Sequence, residues 1–316
     1  MKLRSRASSV SGVVRAPPSK SYTHRALLLA ALSGGPCRVT RPLMSEDTEA
    51  TVSGVEAFGA DVRREEDELR ITSSGLSPPG EKIDARNSGT TLRLLTGTAS
   101  LLEGTTILTG DASLRRRPMA PLLAALRRLG AHGRSLAGDG RPPVVVSGPM
   151  RGGSVTIPGS VSSQFLSSLL LACPLAPGPT TLCVLPPIRS EPYVDITRHM
   201  LRSFGAAVDA EDNTFHIPGG QRYAPTDVAV PGDFSSAAFP LIAAAITQGD
   251  VTVKGLDFSS PQGDRRIADL LGAFGASVAQ TRDRIRVRGG ALEAQAVDVG
   301  ATPDLFPILA VLASQA

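Results

Sequence analysis

No tryptophan occurs in this chain of 316 residues, and aromatic residues amount to only 4%. Proteins that hold single-stranded nucleic acid stack bases on aromatic side chains, so this scarcity argues against that class. Cysteine is nearly as rare: Cys37, Cys173 and Cys183 stand far apart and form no paired motif. An odd number of scattered cysteines excludes a disulfide framework. The histidines, His24, His132, His199 and His216, have no ligand spacing with cysteine or carboxylate, so neither a metal nor another cofactor is expected. Long apolar runs are missing as well. The longest cover residues 26–32 and 237–246, well short of the roughly 20 residues that cross a bilayer. Residues 1–6 alternate like a strand and lack the apolar stretch of a signal peptide. The expected setting is cytoplasmic, without membrane contact.

Lysine is scarce too, four against 29 arginines, and this makes one of the four informative. Residues 17–32 read Pro-Pro-Ser-Lys-Ser-Tyr-Thr-His-Arg followed by an apolar helical run. The Pro-Pro turn delivers Ser19, Lys20 and Ser21 to a helix start, where exposed N–H groups and partial positive charge attract anions. Arg25 follows one turn in. An ammonium transfers a proton more readily than a guanidinium, so a lysine in an arginine-rich protein points to chemistry. The plainer reading is a helix capped by Ser21 with two solvated cations. A net charge of +4 with a pI near 9.2 suits a small anionic substrate as well as nucleic acid.

The pattern recurs. Four helices end alike, at Gly59, Gly130, Gly205 and Gly275, a period of roughly 70 residues. Glycine just past an apolar run is a helix stop because it adopts positive φ without a Cβ penalty. Alternating segments with a turn follow each stop and predict β-hairpins. Between the stops lies a second helix type, opening at Ser21, Ser88, Ser162 and Ser235 among small hydroxyl residues. The unit therefore reads strand–helix–strand–helix–strand–strand. A fifth such opening begins at Thr302-Pro303-Asp304 and leads into a helix over residues 305–313. With 41% hydrophobic residues, the length predicts two domains.

Seven motifs in order give the chain a family resemblance. They are Pro18-Ser19-Lys20-Ser21 with Arg25; Asn87-Ser88-Gly89-Thr90-Thr91-Leu92-Arg93; and Gly110-Asp111-Ala112-Ser113-Leu114 with Arg117-Pro118-Met119. Next come Ser162-Ser163-Gln164-Phe165-Leu166 and Ser190-Glu191-Pro192-Tyr193-Val194-Asp195-Ile196-Thr197. Gly232-Asp233 with Ser235-Ser236-Ala237-Ala238, and Pro303-Asp304, complete the set. Together they resemble EPSP synthase, the 3-phosphoshikimate 1-carboxyvinyltransferase of the enolpyruvyl transferase family. The resemblance implies an α/β fold of two domains, an inside-out, barrel-like arrangement of repeated βαβαββ units. Residues 15–228 would form the shikimate-3-phosphate domain of three units. Residues 1–14 with 229–316 would form an incomplete second domain.

The reaction implied is transfer of the enolpyruvyl group of phosphoenolpyruvate to the 5-hydroxyl of shikimate-3-phosphate, with release of phosphate through a tetrahedral intermediate. By similarity, Lys20 contacts both substrates and Asp304 is the base for the 5-hydroxyl. Ser21, Arg25, Ser162, Ser163, Gln164, Ser190 and Tyr193 would hold shikimate-3-phosphate. Gly89, Arg117 and Gln164 would meet phosphoenolpyruvate. The resemblance implies these two small molecules as partners, no nucleic acid, and a monomer.

Two departures stand out. Arg115 and Arg116 make the phosphoenolpyruvate loop more basic than Arg117 alone requires. The family's later motifs, a Lys-Glu pair with a following Arg, a His-Arg pair and a late Lys, do not occur before Ala316. The expectation for a chain ending there is shikimate-3-phosphate binding without appreciable turnover. The alternatives are a UDP-N-acetylglucosamine enolpyruvyl transferase, or a non-catalytic or RNA 3′-phosphate cyclase-like relative. The first is disfavoured by Ser21 after the lysine and by the lack of cysteine over residues 110–119.

Overall fold

Four consecutive copies of one module account for most of the chain in the computed structural model, which describes residues 8–316. The strand expected over residues 1–6 lies outside the described residues. The first module runs β1 (Ser11–Arg15), α1 (Lys20–Leu32), β2 (Cys37–Thr40), α2 (Glu46–Ala57), β3 (Asp61–Glu65) and β4 (Glu68–Thr72). The second runs β5 (Ile83–Asp84), α3 (Gly89–Ala99), β6 (Gly104–Thr109), α4 (Ala120–Arg128), β7 (His132–Ser135) and β8 (Val144–Gly148). The third has β9 (Gly153–Pro158), α5 (Ser163–Ala172), β10 (Thr180–Leu185), α6 (Pro192–Ser203), β11 (Asp209–Glu211) and β12 (Thr214–Ile217). The fourth has β13 (Val228–Ala229), α7 (Phe234–Ile246), β14 (Asp250–Lys254), α8 (Ile267–Ala273), β15 (Ser277–Gln280) and β16 (Arg284–Arg288). A short 3₁₀ turn at Pro303–Leu305 then leads into α9 (Phe306–Ala313).

The periodic glycines do what the sequence requires of them. Gly59, Gly130, Gly205 and Gly275 have φ of 100°, 94°, 78° and 95°, the left-handed region in which a Cβ is penalised. Each module contributes to a four-stranded sheet, and two of the four opening strands, β1 and β13, are exchanged. Strands β5 and β9 pair in parallel with β6 and β10 of their own modules. In contrast, β1 pairs with β14, from Ser11↔Asp250 to Arg15↔Lys254, and β13 pairs with β2.

This exchange divides the chain into two units. One joins the chain through Ser19 with Pro231–Ala316, and the other is Lys20–Val230. The divisions fall at Ser19/Lys20 and Val230/Pro231, later than the expected positions after residues 14 and 228. Arg15 is still paired with Lys254, and Val228 and Ala229 are still paired with Val39 and Thr40. Each strand stays with its ladder, and only then does the chain leave.

Within Lys20–Val230, the helices lie inside and the sheets outside. Every residue from Tyr22 to Ala31 of α1 is buried, as are nearly all of α3 and α5. A helix apolar on all sides belongs in an interior. The sheet faces turned away from them carry charge, as in β3 with Asp61, Arg63 and Glu65 exposed. The smaller unit has its own core around Phe234, Leu241, Val253, Leu271, Phe274 and Leu309. All three cysteines are free thiols. Among the described residues, no helix is long and apolar enough to cross a membrane.

Candidate active site

Five helices of the larger unit pack as a closed ring, α1 on α2, α2 on α3, α3 on α5, α5 on α6 and α6 on α1. Side-chain bonds between their first two turns show that all five start at the same end. Arg25, in the second turn of α1, donates from Nε to Thr197 Oγ1 (2.7 Å) and from Nη2 to Ser167 Oγ (2.9 Å). It also donates from Nη1 to the Ser21 carbonyl (2.8 Å) and from Nη2 to the Tyr193 carbonyl (3.0 Å). The starts of α1, α5 and α6 are thereby fixed together. Gln164, second in α5, donates to Thr90 Oγ1 (3.0 Å) and accepts from Arg93 Nη1, which ties in α3. Lys20 Nζ meets Asp47 Oδ2 at 3.1 Å and ties in α2. Parallel helix starts add their partial positive charges at one place.

Each expected residue of this unit has a definite position at that end. Lys20 opens α1 with an exposed side chain, and Ser21 is half-buried beside it. Ser162 caps α5 by accepting from the Gln164 N–H (3.2 Å), and Ser163 is buried in the first turn. Ser190 precedes α6 with φ of 56°, its carbonyl accepting from the Tyr193 N–H (3.1 Å). Gly89 opens α3, capped by Ser88. A Cβ on Gly89 would lie 2.7 Å from Arg117 Nη1 and 3.5 Å from Arg93 Nη1. Two guanidiniums therefore converge on the one helix start that carries no side chain.

Burial shapes the electrostatics. Arg25 is 2% exposed, and desolvation lowers its pKa to about 10. Four of its five N–H groups are engaged, leaving one for a ligand. Arg93 is likewise lowered to about 10, first by burial and then by the charge of Arg117, and it stacks on Phe165 at 5.1 Å. Arg115 is tethered, its Nε donating to the Gly110 carbonyl (2.8 Å). Nothing in the structure explains Arg116.

Asp304 belongs to the smaller unit, exposed in the 3₁₀ turn before α9. The helix at Ser235 opens one residue earlier, at Phe234, and its cap is Asp233, which accepts from the Ser236 N–H (2.9 Å). Buried Asp264 accepts from Ser235 Oγ (2.5 Å). Its pKa rises to about 6, chiefly through burial, with Asp304 and Asp233 adding to the rise.

Sequence reasoning gave no role to Arg93, Asp47 or His24. Arg93 stands four residues after Gly89, as Arg25 stands four after Ser21, and that spacing was the available signal. Asp47, in a first turn, reads from sequence as an ordinary helix-start carboxylate.

Helix-enclosing βαβαββ modules, whose hydroxyl- and cation-bearing starts meet at one end, define an α/β fold of the enolpyruvyl transferase class. The family profile described as EPSP synthase (3-phosphoshikimate 1-carboxyvinyltransferase) matches residues 5–316. The chain belongs to the EPSP synthase family. It is 50% identical over 313 residues to the 3-phosphoshikimate 1-carboxyvinyltransferase of Methanothrix thermoacetophila, covering 98% of this chain and 73% of that relative. It is 51% identical over 318 residues to the one from Methanosarcina mazei, covering 98% and 74%. An EPSP synthase structure from Acinetobacter baumannii superposes with a TM-score of 0.83 at 31% identity, covering 96% of this chain and 71% of that one. These likenesses do not favour the UDP-N-acetylglucosamine or phosphate-cyclase alternatives.

Proposed function

We propose that this chain transfers the enolpyruvyl group of phosphoenolpyruvate to the 5-hydroxyl of shikimate-3-phosphate, releasing phosphate. The observation that carries the reading is the alignment of five helix starts, held together by Arg25 and Gln164, with Lys20, Arg93 and Arg117 at the same end. Two substrates that bring two phosphates and two carboxylates need fixed cations and preorganised donors. Ser21, Ser162, Ser163 and Ser190 supply hydroxyls to shikimate-3-phosphate, with Tyr193, Gln164 and the remaining Arg25 hydrogen beside them. Gly89 admits phosphoenolpyruvate close to backbone, where Arg117 pairs with it and Gln164 donates. Lys20 touches both substrates.

In the chemistry, the 5-hydroxyl oxygen bonds to C2 of the enol while a proton is added at C3. Asp304 takes the hydroxyl proton in this reading. Loss of phosphate from C2 and of a proton from C3 then restores the double bond. The setting is cytoplasmic, the partners are the two small molecules, and the chain acts as a monomer.

The test is calorimetry with each substrate alongside a phosphate-release assay on the 316-residue chain. Saturable binding of shikimate-3-phosphate that is lost in Ser162→Ala/Ser163→Ala is the expected result, and phosphate release that needs both substrates would replace the expectation, stated for a chain ending at Ala316, of binding without turnover. Binding without release would overturn the transfer reaction for this chain, and no binding would overturn the site.

A further inference from the structure

One titratable side chain within the helix ring has no part in the chemistry above. His24 is 1% exposed, one turn below Lys20 on α1. Its Nδ1 lies 2.7 Å from Thr51 Oγ1 on α2. Thr51 Oγ1 lies 2.6 Å from Thr91 Oγ1 on α3. Thr91 Oγ1 is in turn 3.1 Å from the Asp47 carbonyl and 2.7 Å from Oγ of Ser88, the cap of α3.

A carbonyl only accepts, so the consistent set of donors runs one way. The Thr91 hydroxyl donates to the Asp47 carbonyl, the Thr51 hydroxyl to Thr91, and the imidazole Nδ1–H to Thr51. The other ring nitrogen, Nε2, is buried and has no hydrogen-bond partner. A proton placed there would be an unpaired donor in the interior, so the ring is held neutral. The chain of bonds crosses three helices and ends at both residues that define two openings. Asp47 holds Lys20 at the start of α1, and Ser88 caps the turn that begins with Gly89.

We propose that His24, as a neutral imidazole, is a positioning residue that keeps the openings of α1 and α3 in register through Thr51 and Thr91. The functional half of this inference rests on the reading of Lys20 and Gly89 as phosphoenolpyruvate contacts. The structural half does not. His24 moves no proton; it sets where Lys20 stands relative to the Gly89 turn. Small misplacements of such groups are costly to catalysis.

Isosteric replacements separate the two ring nitrogens. An asparagine amide overlays Nδ1, a glutamine amide overlays Nε2, and leucine keeps bulk without either. In His24→Leu, His24→Gln and Thr51→Val, amide hydrogen exchange over residues 88–92 is expected to quicken, with KM for phosphoenolpyruvate up about tenfold and a smaller rise in KM for shikimate-3-phosphate, which meets Lys20 but not the Gly89 turn. His24→Asn is expected to restore both readouts with an unchanged pH–rate profile, which a proton-transferring histidine would not allow.

Exchange over 88–92 that is the same in wild type, His24→Leu and Thr51→Val would overturn the tie, whether or not the chain turns over. Quickened exchange with an unchanged KM for phosphoenolpyruvate would overturn the positioning role. Absence of turnover in the wild type would count against the proposed reaction, and exchange would then decide the tie by itself. Should His24→Leu fail to fold, Thr51→Val carries the same test from the middle of the bond chain.

Discussion

Acid should weaken the larger unit through His24 by an amount that follows from its burial. The imidazole pKa falls from an ordinary 6.5 to about 3, first through desolvation, with Lys20 and Arg25 on its own helix lowering it further and Asp47 on α2 opposing them. The unfolded chain therefore takes up a proton near pH 6.5 that the folded chain refuses until about 3. Stability from this group is fully present above pH 6.5 and is lost as pH falls through that window. At about 1.4 kcal/mol per pH unit, the change from pH 7.5 to 5.0 costs about 2 kcal/mol, and the limit near pH 3 is about 5 kcal/mol. The assay is urea unfolding followed by tyrosine fluorescence. Tyr22, Tyr193 and Tyr223 all belong to Lys20–Val230 and there is no tryptophan, so the signal reports that unit alone. Comparison with His24→Asn cancels the carboxylates common to both proteins. Wild type is expected to lose about 2 kcal/mol more than the variant between the two pH values. Parallel pH dependence in the two proteins would refute the buried neutral imidazole.

Three other outcomes follow from particular contacts. Asp264, whose carboxyl is raised from 3.8 to about 6, costs stability as pH rises through that interval. Asp264→Asn should therefore stabilise the smaller unit by up to about 3 kcal/mol at pH 8 and by little at pH 4, read from amide exchange along α7. Gly89→Ala puts a methyl against Arg117 Nη1; the guanidinium swings aside, so KM for phosphoenolpyruvate should rise about tenfold while urea stability moves by less than about 1 kcal/mol. Arg25→Met removes a guanidinium donor from the Ser21 and Tyr193 carbonyls and from the Ser167 and Thr197 hydroxyls, and should cost about 3–5 kcal/mol in the same tyrosine-detected unfolding.

What the sequence disclosed is what depends on single residues. A helix stop that needs positive φ shows itself as glycine, so the module period and the number of modules could be read directly from Gly59, Gly130, Gly205 and Gly275. Helix starts could be read from their hydroxyl residues, with the cap misassigned where Asp233 stands two residues before Ser235 and where α1 opens at Lys20, one residue before Ser21. The unit boundaries were blurred because Pro17 and Pro18 mark a turn without saying which ladder the flanking strand joins. That choice is made by β14, more than 230 residues on. The hidden part of the site is of the same kind. Gln164 with Arg93, and His24 with Thr51 and Thr91, are neighbours only because the helix ring closes. Spacing along one helix cannot encode them.

The exchanged strands have a topological consequence. Lys20–Val230 is an insertion within another unit whose two chain pieces meet where it leaves and returns: the Ser19 N–H donates to the Pro231 carbonyl at 2.8 Å, and Pro18 bridges Gly232. To its host, the entire three-module segment is an excursion with coincident ends. A gene in which a short bridge replaces codons 20–230 should therefore still bring β1 alongside β14, the scar no wider than a hairpin.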